Sequence, residues 1–342
     1  MALSRKNFLK VSALASFGGF SLASSKPVRN SLEGEKKLIK PRVLKHGDTI
    51  GLIAPASPIY EQSDFNKMLE DIRGLGFRIK LGQHVQKRNG YLAGSDTERA
   101  QDVMDMFEDP EVNGIICTRG GWGSNRILEH LNFDLVRKNP KVFCGFSDIT
   151  SLHMAFYTQS GLHTFHGPVG KSVWNDYTTN AFRQVLEQGE KPQFRIPRDA
   201  DESFTITAGN AKGKLLGGNL SVLVSMIGSD YLPSFEDSIL FLEDIGESVY
   251  RIDRMLTQLK MAGILDQLSG FIFGKCTDCS AGENSLSLNQ VFEDHISPLG
   301  IPAFYGAMIS HEDNNLTLPI GIRAEMDTQI KTIRLLEPAV IT

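Results

Sequence analysis

"KVFCGFSDITSLHMAF", residues 141–156, changes its periodicity at one serine. Before Ser147 stands a short apolar run, Val142-Phe143-Cys144; after it Ile149, Leu152, His153 and Phe156 recur at helical spacing. The stretch predicts a strand, a tight turn and a helix, with Ser147 on the turn. Two readings of that hydroxyl compete. As a helix N-cap it accepts a bond from an orphan backbone N–H. As a nucleophile on a strand–turn–helix elbow it is lifted above the sheet and faces the positive end of a helix. The elbow signature is G-x-S-x-G. Gly145-Phe146-Ser147 fits it, but Ile149 stands where the last glycine belongs, so the motif needs a base, an orienting acid and an oxyanion hole from elsewhere.

The same alternation extends outward. "TIGLIAPA" (49–56) reads as a strand, followed by a helix through Phe65, Met68, Leu69 and Ile72. "FRIKLG" (77–82) is a strand, "DTERAQDVMDMFED" (96–109) a helix, and "GIICT" (114–118) a strand feeding the loop "RGGWGS" and the helix "NRILEHL". Strands alternating with helices predict an α/β fold with a mostly parallel, Rossmann-like sheet, whose sites form at strand carboxyl ends. Residues 1–40 read as an export signal and spacer, and 41–175 as an N-terminal α/β domain carrying Ser147. A polar crossover is expected over 176–205. A smaller C-terminal α/β domain over 206–342 has strands at "GKLLGG", "SILFLE", "GFIFG" and "AFYGAMI" and a long helix near 248–263. The site is expected in the cleft between the domains.

The chain has 342 residues, 41% hydrophobic and 22% charged, with a formal net charge of −4. That charge argues against a general nucleic-acid binder, and no apolar run reaches the length of a membrane span. The start, "MALSRKNFLKVSALASFGGFSLASSKP", has a basic end followed by a small-residue apolar stretch, the layout of an export signal. "SRKNFLK" resembles a twin-arginine signal with Lys6 in place of the second arginine, so an exported, periplasmic location is expected; without a working signal the chain stays cytoplasmic. Cys117 and Cys144 lie in apolar runs and read as buried thiols. Cys276 and Cys279 form a lone C-x-x-C that either closes a local disulfide or stays a free pair.

A serine nucleophile requires a histidine to take its proton and an acid to orient that histidine. His311 follows the apolar strand "AFYGAMI" at its carboxyl end and is the best-placed base. His163 and His166 sit at another strand end and could line a pocket, whereas His153 rises from the same turn as Ser147. In "SILFLEDIGES" the apolar run Ile239–Leu242 leads straight into Glu243 and Asp244. A charge there is costly unless it is paired or opens on a cleft. Successive strand residues face opposite ways, so one of the two serves the site; Glu243 is favoured, with Asp244 holding the turn or capping the next helix. Oxyanion donors are expected at the backbone N–H of Asp148 and of Gly121, in a loop whose glycines let backbone approach closely. Ser124 is a rival nucleophile that reads better as a helix cap. Gly121-Trp122-Gly123 opens a dinucleotide fingerprint, but Arg126 replaces its third glycine. "LLGGNL" (215–220) is a tight strand–helix turn capped by Asn219.

Together these pieces resemble the murein tetrapeptide L,D-carboxypeptidase and microcin C immunity family of serine peptidases. The resemblance rests on "GLIAPASP", "RGGWGSNRIL", "GFSDIT", "GGNL", "FLEDIGESVYRIDRML" with "QLKMAGIL", and "SHEDNNLTLPIG", in the family's order from Gly51 to Gly321. It implies Ser147 as nucleophile, Glu243 as acid and His311 as base, with oxyanion donors in the Gly-Gly loop and after the nucleophile. It also implies a two-domain, homodimeric enzyme without metal or other cofactor, releasing the terminal D-Ala of peptidoglycan tetrapeptides. An exopeptidase must hold a free carboxylate, for which Arg119 and Lys171 are candidates.

The nearest alternative is a related amidohydrolase of aminoacyl nucleotide conjugates, whose base needs an aromatic platform: Trp122, or better Trp174. A non-catalytic exported solute-binding protein is the remote alternative, since two α/β domains around a cleft describe that architecture too. The sequence does not choose between lysine and diaminopimelate before the D-Ala.

Overall fold

The computed structural model describes residues 37–196 and 203–342. The expected export signal and spacer therefore lie almost wholly outside the described residues, as does the 197–202 part of the crossover.

In chain order, β1 (Thr49–Ile53), β2 (Arg78–Leu81), β3 (Gly114–Cys117), β4 (Val142–Gly145) and β5 (Phe165–His166) form one sheet. A second contains β6 (Gln193–Arg195), β7 (Phe204–Thr207), β8 (Asn210–Asn219), β9 (Ser238–Ile245), β10 (Leu268–Thr277) and β11 (Ala303–Ala307). β12 (Leu318–Pro319) returns to the first sheet, and β13 (Arg323–Asp327) and β14 (Thr332–Leu335) complete the second. The helices are α1 (Gln62–Gly74), α2 (Asp96–Glu108), α3 (Phe133–Lys138), α4 (Thr150–Ala155), α5 (Asp176–Leu186), α6 (Leu220–Ser225), α7 (Val249–Met261) and α8 (Leu288–His295).

The first sheet has the order β12-β5-β4-β3-β1-β2, parallel except for β12. β1, β3 and β4 are buried along their whole length, which is why they read as continuous apolar runs. α2 opens with a capping box, Ser95 Oγ accepting from Glu98 N and the Glu98 side chain from Ser95 N, worth about 1 kcal/mol at the cap. Phe143 packs edge-on to Phe156 at 4.9 Å, and Phe107 to Phe156 at 5.3 Å. The second sheet has the order β6-β14-β13-β8-β9-β10-β11-β7. Its middle strands β8–β11 are parallel and its flanks antiparallel.

Two expectations change in detail. The expected helix after the Gly-rich loop is a 3-10 turn, Ser124–His130, entered through Gly123 at φ 101°. Only seven residues separate that glycine from Leu131, too few for a long helix. The two halves also interleave: β6 lies in the expected crossover yet pairs with β14, and β12 lies in the expected second domain yet pairs with β5.

β1 and β3 are neighbours although β2 comes between them in the chain. At such a reversal the loops at the carboxyl ends leave a crevice. The loops after β1 and β3 meet there: Ser57 N donates to Gly120 O at 3.4 Å and Trp122 N to Ser57 Oγ at 3.1 Å. Asn219, at the end of β8, donates its N–H to Thr150 Oγ1 of α4 at 2.9 Å. A Cβ on Gly218 would stand 2.4 Å from the same hydroxyl. The carboxyl ends of the two sheets thus meet around the turn that carries Ser147.

Candidate active site

Ser147 follows β4 after one residue, Phe146, and has φ 65°. A non-glycine residue pays about 1–2 kcal/mol for this left-handed conformation, and such strain concentrates where a side chain must be aimed. Gly145 and Ile149 are fitted to each other: a Cβ on Gly145 would lie 3.1 Å from both Ile149 γ-carbons. The isoleucine that breaks the elbow signature folds back over the glycine that satisfies it. The Ser147 hydroxyl is not a helix cap. It lies 3.0 Å from His311 Nε2, and His311 Nδ1 lies 2.8 Å from Glu243 Oε2. Because the carboxylate can only accept, Nδ1 carries the imidazole hydrogen and Nε2 offers its lone pair to the serine.

Glu243 ends the apolar run of β9 and is fully buried. Its Oε1 has no hydrogen-bond partner, leaving the His311 contact as the group's compensation for burial. His311 sits in the loop after β11. Ser310 Oγ donates to Lys275 O at 2.8 Å, Asn315 Nδ2 to Ser310 O at 3.1 Å, and Thr277 Oγ1 to Glu312 Oε1 at 2.9 Å. The Phe146 ring lies 4.8 Å from the imidazole. Burial disfavours the imidazolium, but the hydrogen bond and charge of Glu243, aided by Asp244 and Glu312, outweigh it and raise the His311 pKa.

Asp244 faces away from His311, as strand alternation requires. It accepts from Ser221 N at 2.9 Å and Asn219 Nδ2 at 3.2 Å, so it caps α6 rather than the helix that follows it. Burial, then the charge of Glu243, pushes its carboxyl up to about 6.

The Gly-rich loop closes over Ser147. A Cβ on Gly121, at φ 117°, would stand 2.3 Å from Ser57 Oγ. The Trp122 N–H is spent on that same oxygen. Gly121 and Asp148 line, with Ser147, a cleft of about 530 Å³. Trp122 stands on its wall, 71% exposed. Ser124, the rival nucleophile, is buried: its N–H donates to Asp148 Oδ2 at 2.8 Å, and its hydroxyl bonds Asp148 O and, at 2.7 Å, Ser151 Oγ.

Several candidates lie elsewhere. Arg119 does not line the cleft; it stacks over Tyr60 at 5.9 Å and donates to Pro58 O at 3.3 Å, because the loop after β1 offers it a carbonyl and a ring face. Trp174 packs edge-on to Phe182 at 5.3 Å, donates to Gly170 O, and lines a separate pocket with Lys171. Lys171 is paired with Asp64. His163 and His166 do not line this cleft either: both are buried, bonded at 2.8 Å to the carbonyls of Ile320 and Ile309. His153 is locked between Gly145 O and Thr164 Oγ1, and burial takes its pKa down to about 3. Cys276 and Cys279 form a disulfide. The cleft's own cations are Arg126 and Arg251, which had no signal in the sequence beyond ordinary helix-surface positions. Among the described residues no three His, Cys, Asp or Glu side chains converge as a metal site.

The LD-carboxypeptidase N-terminal domain matches residues 50–167, and the LD-carboxypeptidase C-terminal domain residues 212–326. The chain belongs to the LD-carboxypeptidase family. It is 41% identical over 301 residues to a probable murein peptide carboxypeptidase of Bacillus subtilis, covering 86% of this chain and 93% of that protein. The microcin C7 self-immunity protein MccF in its wild-type apo state superposes with a TM-score of 0.83 at 26% identity, over 88% of this chain and 99% of that one. A muramoyltetrapeptide carboxypeptidase from Oxalobacter formigenes does so with a TM-score of 0.75 at 29% identity, over 86% and 100%. The protein is therefore an enzyme of the carboxypeptidase type with a two-domain α/β fold.

Proposed function

We propose that the protein is a serine L,D-carboxypeptidase that releases the terminal D-Ala of peptidoglycan tetrapeptides. The observation that carries this reading is the hydrogen-bonded chain Ser147–His311–Glu243, which opens through Ser147 onto the cleft. Ser147 Oγ attacks the carbonyl of the L-residue while its proton passes to His311 Nε2. The oxyanion is held by the N–H groups of Gly121 and Asp148, each donor being worth about 100- to 1,000-fold in rate. His311 then protonates the D-Ala nitrogen, the amide bond breaks, and the L-residue remains as an ester on Ser147. Water attacks that ester with His311 again as base, and the proton returns to Ser147 as the acid is released. Glu243 holds the tautomer and balances the imidazolium. Arg126, on the cleft wall, is a candidate partner for the free carboxylate.

This reading also includes export to the periplasm, which rests on the N-terminal pattern, and a homodimer, which rests on the family resemblance. The test is mass spectrometry of L-Ala–γ-D-Glu–diaminopimelate–D-Ala incubated with the protein, beside a Ser147→Ala control. Loss of D-Ala in the first tube alone supports the reaction and the nucleophile together. Loss in both removes Ser147 from the mechanism.

A second reading is an amidohydrolase of aminoacyl nucleotide conjugates. It is favoured by the exposed Trp122 ring at the cleft and by the MccF neighbour, whose structure is known in complex with glutamyl sulfamoyl guanosine. An aminoacyl sulfamoyl nucleoside run in the same assay separates the two.

A further inference from the structure

In the ester intermediate the L-residue is attached to Ser147 Oγ, so its side chain must lie in the same cleft. That cleft carries a charged pair which the triad does not use. Glu247 and Arg251 both line it and are ion-paired to each other. The Glu247 side chain is 14% exposed and that of Arg251 53% exposed, so the acid is largely covered and the base largely in solvent.

Helix stability accounts for little of this placement: the pair is spaced i, i+4 with the acid N-terminal, an arrangement worth about 0.2–0.5 kcal/mol. Arg251 lies in the first turn of α7, where the unpaired N–H groups favour an anion and disfavour a cation. An exposed ion pair contributes 1 kcal/mol or less, roughly. The turn that presents Glu247 is nevertheless firmly braced. Gly246 N donates to Thr277 O at 2.8 Å, Ser280 N to Glu247 O at 3.2 Å, and Val249 N to Ser280 O at 3.1 Å. The bracing loop is itself closed by the Cys276–Cys279 disulfide. A side chain held on a fixed backbone is what a recognition site needs. Of the cleft's other charges, Arg126 is positioned by Asp96, to which its Nε and Nη2 donate at 3.2 and 2.8 Å, and is the candidate for the substrate's free carboxylate, while Asp244 caps α6.

We propose that the Glu247–Arg251 pair is the subsite for the side chain of the residue whose carbonyl Ser147 attacks, and that it selects a side chain ending in an ammonium and a carboxylate together. This rests on the carboxypeptidase reading. A zwitterionic terminus inserts into an ion pair and leaves neither partner alone: its ammonium meets Glu247 and its carboxylate meets the guanidinium in a two-pronged bond. An ammonium by itself competes with Arg251 for Glu247 and leaves the guanidinium uncompensated. Diaminopimelate has the zwitterionic terminus; lysine has the ammonium alone.

The experiment uses the full chain and three tetrapeptides that differ at the third residue: meso-diaminopimelate, its side-chain carboxamide, and L-lysine. The wild type is expected to cleave the first with kcat/KM at least about tenfold above the other two. Arg251→Gln abolishes the preference: the first peptide falls, and the lysine peptide, whose ammonium no longer competes with the guanidinium for Glu247, rises. Glu247→Gln lowers all three. Equal rates on the three peptides overturn the proposal. So does an Arg251→Gln loss shared equally by all three, which is what a merely structural role gives, or loss of the preference in Arg126→Gln instead. Because the carboxamide peptide tests the carboxylate without altering the protein, misfolding of a variant does not shelter the idea. Release of D-Ala from none of the three overturns the carboxypeptidase reading itself; release without preference overturns only the subsite.

Discussion

Gly120 and Ser147 occupy adjoining space: a Cβ on the glycine would stand 2.8 Å from the serine Cβ and 3.0 Å from its hydroxyl oxygen. The Phe146 carbonyl closes the other side at 3.2 Å, so the added methyl has nowhere to go except into Ser147. Gly120→Ala is therefore expected to swing Ser147 away from His311. A misplacement of about 1 Å costs on the order of 100-fold in rate. Steady-state kinetics on the tetrapeptide should show that loss in kcat, with the folded state retained in thermal unfolding. Unchanged kcat would mean that the Gly-rich loop does not set the nucleophile's position.

The Glu243–His311 contact makes a prediction about pH. In the proposed mechanism Ser147 is activated only while His311 is neutral, so kcat/KM is expected to rise with pH through the His311 pKa. That pKa lies above the ordinary 6.5, burial being outweighed by the hydrogen bond and charge of Glu243. In Glu243→Gln the charge is gone and burial is left to act. The acid limb of the pH–rate profile should move to lower pH, while the maximum falls by roughly 10,000-fold. The sign for stability is the matching one. A base whose pKa is higher in the folded state contributes stability that is complete below its unfolded value and is lost as pH rises through the folded value. The destabilisation caused by Glu243→Gln should therefore shrink toward alkaline pH. An acid limb that stays put in the variant would separate Glu243 from the titration.

Ser124 and Ser147 can be told apart by a serine-directed fluorophosphonate. Ser124 is buried and bonded to the Asp148 carbonyl and the Ser151 hydroxyl; Ser147 faces the cleft. Ser124→Ala should keep its labelling while losing about 1–3 kcal/mol of stability as its buried partners go unsatisfied. Ser147→Ala should lose the label and unfold at the wild-type temperature. Labelling that survives Ser147→Ala but not Ser124→Ala would exchange their roles.

What the sequence discloses about this site follows from burial. In strands covered on both faces the apolar run is unbroken, so a polar residue at the carboxyl end stands out. Ser147 after Val142-Phe143-Cys144, Glu243 after Ile239–Leu242 and His311 after β11 are all legible in that way. β12, two residues long, has no period to read, and it is what ties the second half of the chain to the first sheet. Arg126, Glu247 and Arg251 look like any charged helix surface, because the cleft they line forms only when the two halves meet. Arg119 is in the right loop by sequence, yet Tyr60 and Pro58, some sixty residues earlier, take its side chain away.

The two tryptophans divide the same way. Trp122 lines the cleft with most of its surface in solvent. Trp174 is half-buried, packed against Phe182 and bonded to Gly170 O. Truncating a fully buried aromatic ring costs about 3–5 kcal/mol and a half-buried one less, so Trp174→Ala should lower the melting temperature moderately while kcat and KM per folded enzyme stay at wild-type values. Trp122→Ala removes an exposed ring from the cleft wall, so it should leave stability nearly unchanged and raise KM. The substrate on which KM rises is informative. A peptide contacts the ring through apolar side-chain surface alone, whereas a nucleoside stacks its base on it, an interaction of about 1–3 kcal/mol, or roughly 5- to 150-fold in affinity. A larger KM increase for the aminoacyl sulfamoyl nucleoside than for the tetrapeptide would favour the amidohydrolase reading. A KM increase for the tetrapeptide, with no turnover of the nucleoside, would place Trp122 in the peptide subsite. An effect from Trp174→Ala in place of Trp122→Ala would put the substrate in the second pocket, away from Ser147.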